Sequence, residues 1–298
     1  MEDIENTFGS HKFVDILYDD IFKLIFTKPE NNDLLLALLR NVLPSLDIRE
    51  VKIENSEQTP VARHKKRSVF DVNCMTSSGE RIIVEVQHRS IPDYFDRMLY
   101  YSSLPILAQH DAGDKNYYLT PVYVVSFVNF AFEHGADWHG DFDIISRYSI
   151  REDRNGELMT DNLHFVFVEL GRFLKDRAEL ETEMDWWLYC LKNMKDITDV
   201  PEELDYDIIH RLLGATALAT MTVEEIEEYY RIMTTQTDIE IWKEEARKEG
   251  LAEGRAEGRE EGREEEKATM AQNLKSLGVP VETISKATGL SVEQIAAL

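Results

Sequence analysis

The run Val122-Tyr123-Val124-Val125-Ser126-Phe127-Val128 constrains this chain more than any other stretch. It is almost continuously apolar and β-branched, without the polar–apolar alternation of a half-exposed strand. A strand of this kind is buried on both faces and sits centrally in an α/β sheet, so it needs a covering layer on each side. The covering layers are encoded nearby. Residues 13–27 read as a helix that is apolar over most of its circumference, with Asp15, Asp19, Asp20, Lys23 and Thr27 on a polar strip. Pro29 stops it, since proline has no amide donor. A second helix is expected from Asn32 to Val42, where Leu34, Leu35, Leu38, Leu39 and Val42 share a face.

Strands are expected at Ile48–Ile53, Ser68–Met75 and Arg81–Gln87, and a helix from Pro92 to Gln109. A further hairpin runs from Ser146 to Ile150, turns at Asp153-Arg154-Asn155-Gly156 and returns as His164–Leu170, and residues 179–234 are patterned as helices. The order ααβββαβ, then a hairpin, predicts an α/β domain with a mixed sheet flanked by helices over residues 11–240.

Two segments complete the chain. In 241–270, Gly250, Gly254, Gly258 and Gly262 recur every four residues, with parallel rows of Glu (249, 253, 257, 261, 265) and Arg or Lys (255, 259, 263, 267). Each helical Gly costs about 1 kcal/mol against Ala. Two readings stand: a helix that self-associates along its Gly row, making the chain a homo-oligomer, and a solvated linker helix. Residues 271–298 form a short helical hairpin around Thr288-Gly289-Leu290. Its outline resembles a helix-turn-helix. However, Val292–Leu298 carries Glu293 and no Lys or Arg, which favours a capping or dimerising role.

Charge and cysteine content exclude several functions. Against 33 Lys and Arg stand 57 Asp and Glu, a net of −24, so bulk charge does not coat nucleic acid or acidic membranes. Residues 60–89 run the other way: Arg63, Lys65, Lys66, Arg67, Arg81 and Arg89 outnumber Asp71, Glu80 and Glu85. Cys74 and Cys190 are too few for a disulfide framework or a Cys-rich zinc site. The acidic start lacks the apolar region of a secretory signal, and the longest apolar run, Leu34–Leu39, is too short to span a bilayer. The expectation is a cytoplasmic protein with no membrane segment.

The chemistry lies in the first hairpin. With Ser77-Ser78-Gly79 as a three-residue loop, pairing follows i + j = 156 and Asp71 faces Glu85. Such partners have Cβ atoms about 4.5–5.5 Å apart, and two like charges there need compensation. A divalent Mg²⁺ or Mn²⁺ supplies it, since both prefer carboxylate and water ligands. Gln87 projects from the same face as Glu85, giving the pattern Asp-x13-Glu-x-Gln. The basic residues Lys65, Lys66, Arg67 and Arg89 flank this hairpin, and acid-bound metal beside cations suits phosphodiester hydrolysis. Arg97, with Tyr94, Tyr100 and Tyr101, is a further candidate contact to a DNA backbone. His64 and His88 beside these cations, and His134 and His139 near Asp137 and Asp141, read as bystanders. No Gly-rich phosphate loop ending in Lys-Ser/Thr, no G-x-S-x-G elbow and no HExxH motif is present.

Several stretches together resemble the PD-(D/E)XK nuclease superfamily, and within it the bacterial recombination-promoting nuclease/putative transposase family. They are Asp19-Asp20-Ile21-Phe22-Lys23-Leu24-Ile25-Phe26, Phe70-Asp71-Val72 and Ile83-Val84-Glu85-Val86-Gln87, followed by Tyr94-Phe95-Asp96-Arg97, Pro121-Val122-Tyr123, Val128-Asn129-Phe130 and Phe167-Val168-Glu169-Leu170. The resemblance covers most of residues 13–240. It implies a restriction-endonuclease-like core, a Mg²⁺-dependent (or Mn²⁺-dependent) endonuclease acting on DNA, and links to recombination, mobile elements or defence. It also implies that Asp71 and Glu85 are the metal-binding acids and that Asp19 completes the site, with Asp20 as its rival. Gln87 stands where the superfamily usually has lysine, so the site lacks one charge. That departure keeps two rivals open: a nuclease fold that binds nucleic acid without cutting it, and a protein-interaction module.

Overall fold

The computed structural model describes residues 11–54, 57–58, 68–110, 116–133, 144–200 and 204–297. Two compact units are distinguished, one ending at Tyr229 and the other beginning at Tyr230.

The first unit is built on a six-stranded mixed sheet. Its strands are β1 (Val51–Ile53), β2 (Val72–Thr76), β3 (Arg81–Gln87), β4 (Val122–Val128), β5 (Ile145–Ser149) and β6 (Leu163–Glu169), in the order β1-β2-β3-β4-β6-β5. Strand β4 lies parallel to both β3 and β6, and the outer pairings are antiparallel. Every β4 residue except Tyr123 is buried, as a central strand requires. A separate two-residue ladder joins 57–58 to 68–69.

Helices cover both faces. On one side α1 (Asp19–Phe26) buries Ile21, Phe22, Ile25 and Phe26, and Phe22 reaches Phe127 of β4 with ring centroids 6.2 Å apart. Next to it α2 (Asn32–Val42) buries the five apolar residues of its stripe and packs on α4 (Glu183–Asn193) and α5 (Asp207–Thr216). On the other side α3 (Tyr94–Leu107) sets Tyr94 and Met98 on Ile83, Val124, Val128 and Phe167. Since strand side chains alternate, Ile83, Glu85 and Gln87 all face α3, while Ile82, Val84 and Val86 face the α1 layer.

The helix predicted for 13–27 is half its expected length. Residues 13–18 are held outside α1 by α5: Phe13 bridges Ala217, and the Val14 N–H donates to Thr216 O at 3.0 Å. Asp15, expected on a solvated strip, is buried and paired with Lys195 at 3.3 Å. Long-range pairing here outcompetes local helical pattern. The second hairpin is present with bounds one residue earlier than expected, Ile145 pairing with Val168 and Ser149 with His164. The expected turn lies inside its long connection, with Gly156 at φ 73°.

In the second unit, the later turns of α6 (Val223–Ser276) lead to α7 (Val281–Thr288) and α8 (Val292–Ala297). Ala271, Ile284, Leu290 and Ile295 form its small core. The Ser291 hydroxyl caps α8 by accepting the Gln294 N–H at 3.1 Å. Most side chains of the Gly, Glu and Arg rows lie outside the described residues. No helix among the described residues is long and apolar enough to cross a membrane.

Candidate active site

The site grows out of the β2–β3 hairpin. Its loop is Ser77-Ser78-Gly79, closed by the Gly79 N–H donating to Thr76 O at 3.1 Å, and Gly79 takes φ 97°, which side chains resist. Val72 pairs with Val84 and Asn73 with Ile83, the register that sets Asp71 against Glu85. Asp71 itself lies one residue before β2. Leaving the ladder frees its carboxylate to fold over the neighbouring strand, where Oδ2 accepts the Val86 N–H at 2.6 Å.

Both acids are buried. Asp71 is 8% exposed and Glu85 2%, and Oε1 of Glu85 has no hydrogen-bond partner. Burial pushes the Asp71 carboxyl up to about 7, with the Val86 N–H pulling against it and the charges of Asp19 and Asp20 adding to the rise. Glu85 is raised well above the ordinary carboxylate range, first by burial and then by the charge of Asp71, with Arg97 opposing both. Two carboxylates in this state are held at an energetic cost that a cation between them would remove.

Asp19 and Asp20 occupy the exposed first turn of α1. Negative charge there suits the helix dipole. The charge of Asp19 raises both buried acids, and at Asp71 it counts for more than that of Asp20. Stacked Tyr18 and His88 rings, 4.9 Å apart, tie the start of α1 to the end of β3. That tie was not anticipated; an aromatic residue before the helix and a His after the strand were its only traces in the sequence.

Arg97 comes from α3. Its Nη2 lies 3.4 Å from Glu85 Oε2, its Nη1 3.4 Å from Gln87 Oε1, and its guanidinium carbon 5.0 Å from the Tyr101 ring centroid. The structure thus gathers Asp71, Glu85, Gln87, Asp19 and Arg97 at one end of β3. Arg89 is exposed just beyond it. Lys65, Lys66 and Arg67 lie outside the described residues, as do His64, His134, His139, Asp137 and Asp141.

Among the described residues no three His, Cys, Asp or Glu side chains are grouped closely enough to enclose a metal alone. The donor set nonetheless fits Mg²⁺ or Mn²⁺. Such ions are bound through one or two carboxylates and keep several waters, and the unpartnered Glu85 Oε1 beside Asp71 offers that kind of half-built shell.

A mixed sheet with helices on both faces, carrying an acid pair where a hairpin meets the parallel strands, defines a restriction-endonuclease-like fold of the PD-(D/E)XK type. The chain belongs to the PD-(D/E)XK nuclease family transposases, whose family profile matches residues 16–246 of its 298. No curated protein and no solved structure matches it.

Proposed function

We propose that the chain is a metal-dependent endodeoxyribonuclease that hydrolyses phosphodiester bonds of DNA with Mg²⁺ or Mn²⁺ at Asp71 and Glu85. The observation that carries this reading is the buried pair itself, with one carboxylate oxygen of Glu85 left without a hydrogen-bond partner. A folded protein has little reason to bury two adjacent acids unless a cation joins them. When bound, a divalent ion supplies a Lewis acid and a low-pKa water.

The remaining work falls to the chain. Asp71 and Glu85 hold the ion, and Asp19 adds a third negative charge from α1. The Gln87 amide, whose oxygen faces Arg97, has its NH₂ left to orient a water or a phosphate oxygen. Lys65, Lys66, Arg67 and Arg89 are assigned to the DNA backbone. Hydrolysis adds one water across one P–O ester bond and leaves a phosphate monoester and a hydroxyl. Residues 11–240 carry this activity, 241–270 bring copies together along the Gly row, and 271–298 cap that assembly.

Plasmid nicking tests the reading. Wild-type protein nicks with Mg²⁺ or Mn²⁺ and not with EDTA, and Asp71→Ala or Glu85→Ala abolishes it. Metal-independent cleavage, or cleavage that survives Asp71→Ala, removes the proposal. The absence of charge at Gln87 favours one alternative, a nuclease fold that binds DNA without cutting it. DNA retention with no nicking under any metal would establish that alternative.

A further inference from the structure

The acid cluster contains an uncharged amide at Gln87 and one guanidinium, Arg97, that reaches into it from a different element. We propose that Arg97 supplies from α3 the positive charge that Gln87 lacks, and that it is the residue which grips the scissile phosphate. The inference rests on the nuclease reading above and adds to it the group that engages the substrate.

Three features of Arg97 argue for a substrate role over a purely structural one. First, its protein contacts are loose. Its contacts to Glu85 and Gln87 both lie at 3.4 Å, whereas charge-assisted N–H···O bonds close to about 2.7–2.9 Å. A guanidinium recruited only to neutralise Glu85 would be drawn in tighter, as Arg172 is on the equally buried Glu169, at 2.8 Å. Second, Arg97 has donors to spare. Of its five N–H groups, one points at Glu85, one at Gln87 and one at the Tyr101 hydroxyl, which leaves two, and the side chain is 37% exposed while Glu85 is 2% exposed. Third, it is oriented. Tyr101, one turn along α3, holds the guanidinium by its ring, 5.0 Å from the guanidinium carbon, and by a hydrogen bond, which restricts the fork that planar recognition of a phosphate requires.

The placement has a backbone origin. Asp93 adopts φ 60° immediately before α3, and the Arg97 N–H donates to its carbonyl at 2.9 Å. This sharp entry starts the helix after only six residues beyond β3. Tyr94 and Met98 then fall on the sheet, and Arg97 falls beside Glu85 and Gln87. Among the described residues Arg97 is the cation set on the acid pair itself, and there it serves an anionic substrate that approaches two buried carboxylates, the condition under which a preorganised donor matters most.

The test compares wild type with Arg97→Gln and Arg97→Lys, using Mn²⁺ titration calorimetry of the full chain alongside plasmid nicking. Arg97→Gln is expected to bind Mn²⁺ as tightly as wild type or more tightly, because a competing cation has gone, and to nick roughly a hundredfold more slowly. Arg97→Lys keeps the charge without the fork and should recover part of that loss. Circular dichroism of each variant guards against misfolding, and the milder Lys variant still decides the question if the Gln variant fails to fold. Loss of Mn²⁺ binding together with nicking would make Arg97 a structural support of the acid pair and overturn the proposal. Undiminished nicking in both variants would overturn it equally. Failure of the nuclease reading is distinguishable, because the wild type itself would then neither bind Mn²⁺ nor nick, and the role of Arg97 would fall with it.

Discussion

The Asp71 carboxylate accepts the backbone N–H of Val86, the residue after Glu85, at 2.6 Å. One acid is thus anchored to the strand that carries the other, and neither can retreat from its neighbour. The consequence is measurable without any activity. Asp71 is raised from 3.8 to about 7 in the fold, so the native state keeps a proton that the unfolded chain has already lost. Stability from this group is full below the unfolded value and declines as pH climbs to about 7, by a few kcal/mol in all. Asp71→Asn keeps an acceptor for Val86 and carries no charge. In EDTA at pH 8 it should be more stable than wild type by a few kcal/mol in urea unfolding, and near wild type at pH 4. Equal stability at both pH values would show that the pair is not strained.

The same titration governs metal binding. A divalent ion needs both carboxylates ionised, so each proton on the pair competes with it. Mn²⁺ affinity should therefore rise steeply as pH increases through about 7, where Asp71 loses its proton, with Glu85 also raised. Calorimetry between pH 6 and 8.5 should show proton release on binding. Affinity independent of pH across that range would place the metal elsewhere.

Much of this site was legible in the sequence, for physical reasons. The three-residue loop with Gly79 fixes the hairpin register, and the register alone brings Asp71 opposite Glu85. The apolar run Val122–Val128 and the helical apolar stripe of Asn32–Val42 leave little choice of element, and both elements have the expected bounds. Residues 13–18 were misread because an apolar stretch says only that it is buried. Its pairing with Ala217 and Thr216, some 200 positions away, leaves no local trace. Arg97 was noticed for its charge, but its direction follows from the helix entry at Asp93, whose positive φ Asp tolerates more readily than most residues without the sequence marking it.

A second buried acid shows what a satisfied one looks like. Glu169 is fully buried and accepts both Arg172 Nε and the Phe132 N–H at 2.8 Å, while Arg172 donates on to Phe132 O at 3.0 Å. Arg172→Ala removes this ion pair from a fully buried carboxylate and should cost about 3 kcal/mol in urea unfolding. Glu169→Gln retains an acceptor for Phe132 and should cost less. A negligible effect of Arg172→Ala would mean that this ion pair contributes little to the fold.

Beside this pair, the 130–131 backbone presses on Gly171. A Cβ at Gly171 would lie 2.5 Å from Phe130 C and 2.7 Å from Ala131 N, closer than any side chain tolerates. Both neighbours are backbone and cannot rotate away. Gly171→Ala should therefore destabilise the chain by about 1–3 kcal/mol by displacing the segment that follows β4. Gly214→Ala, whose Cβ would meet nothing within 4 Å, is the matched control inside α5. It should be neutral or slightly stabilising, because Ala is the better helix former. Equal effects of the two substitutions would locate the cost in the loss of glycine and not in the close approach.

The last prediction concerns how an acidic protein engages DNA at all. With a net charge of −24, single chains are repelled by a polyanion, and a local cationic grip at one end of β3 is a weak counterweight. Joining copies raises the effective concentration of sites on one duplex without any new contact. If 241–270 assemble the chain, sedimentation should give a larger particle for the full chain than for a chain ending at residue 240. The shortened chain should then nick plasmid more slowly at low protein concentration and recover as concentration rises. Both forms should lose activity steeply with added salt, since the backbone contacts are electrostatic. If the two chains sediment as the same number of subunits, residues 241–270 are a solvated linker, and nicking should be equally fast with or without them.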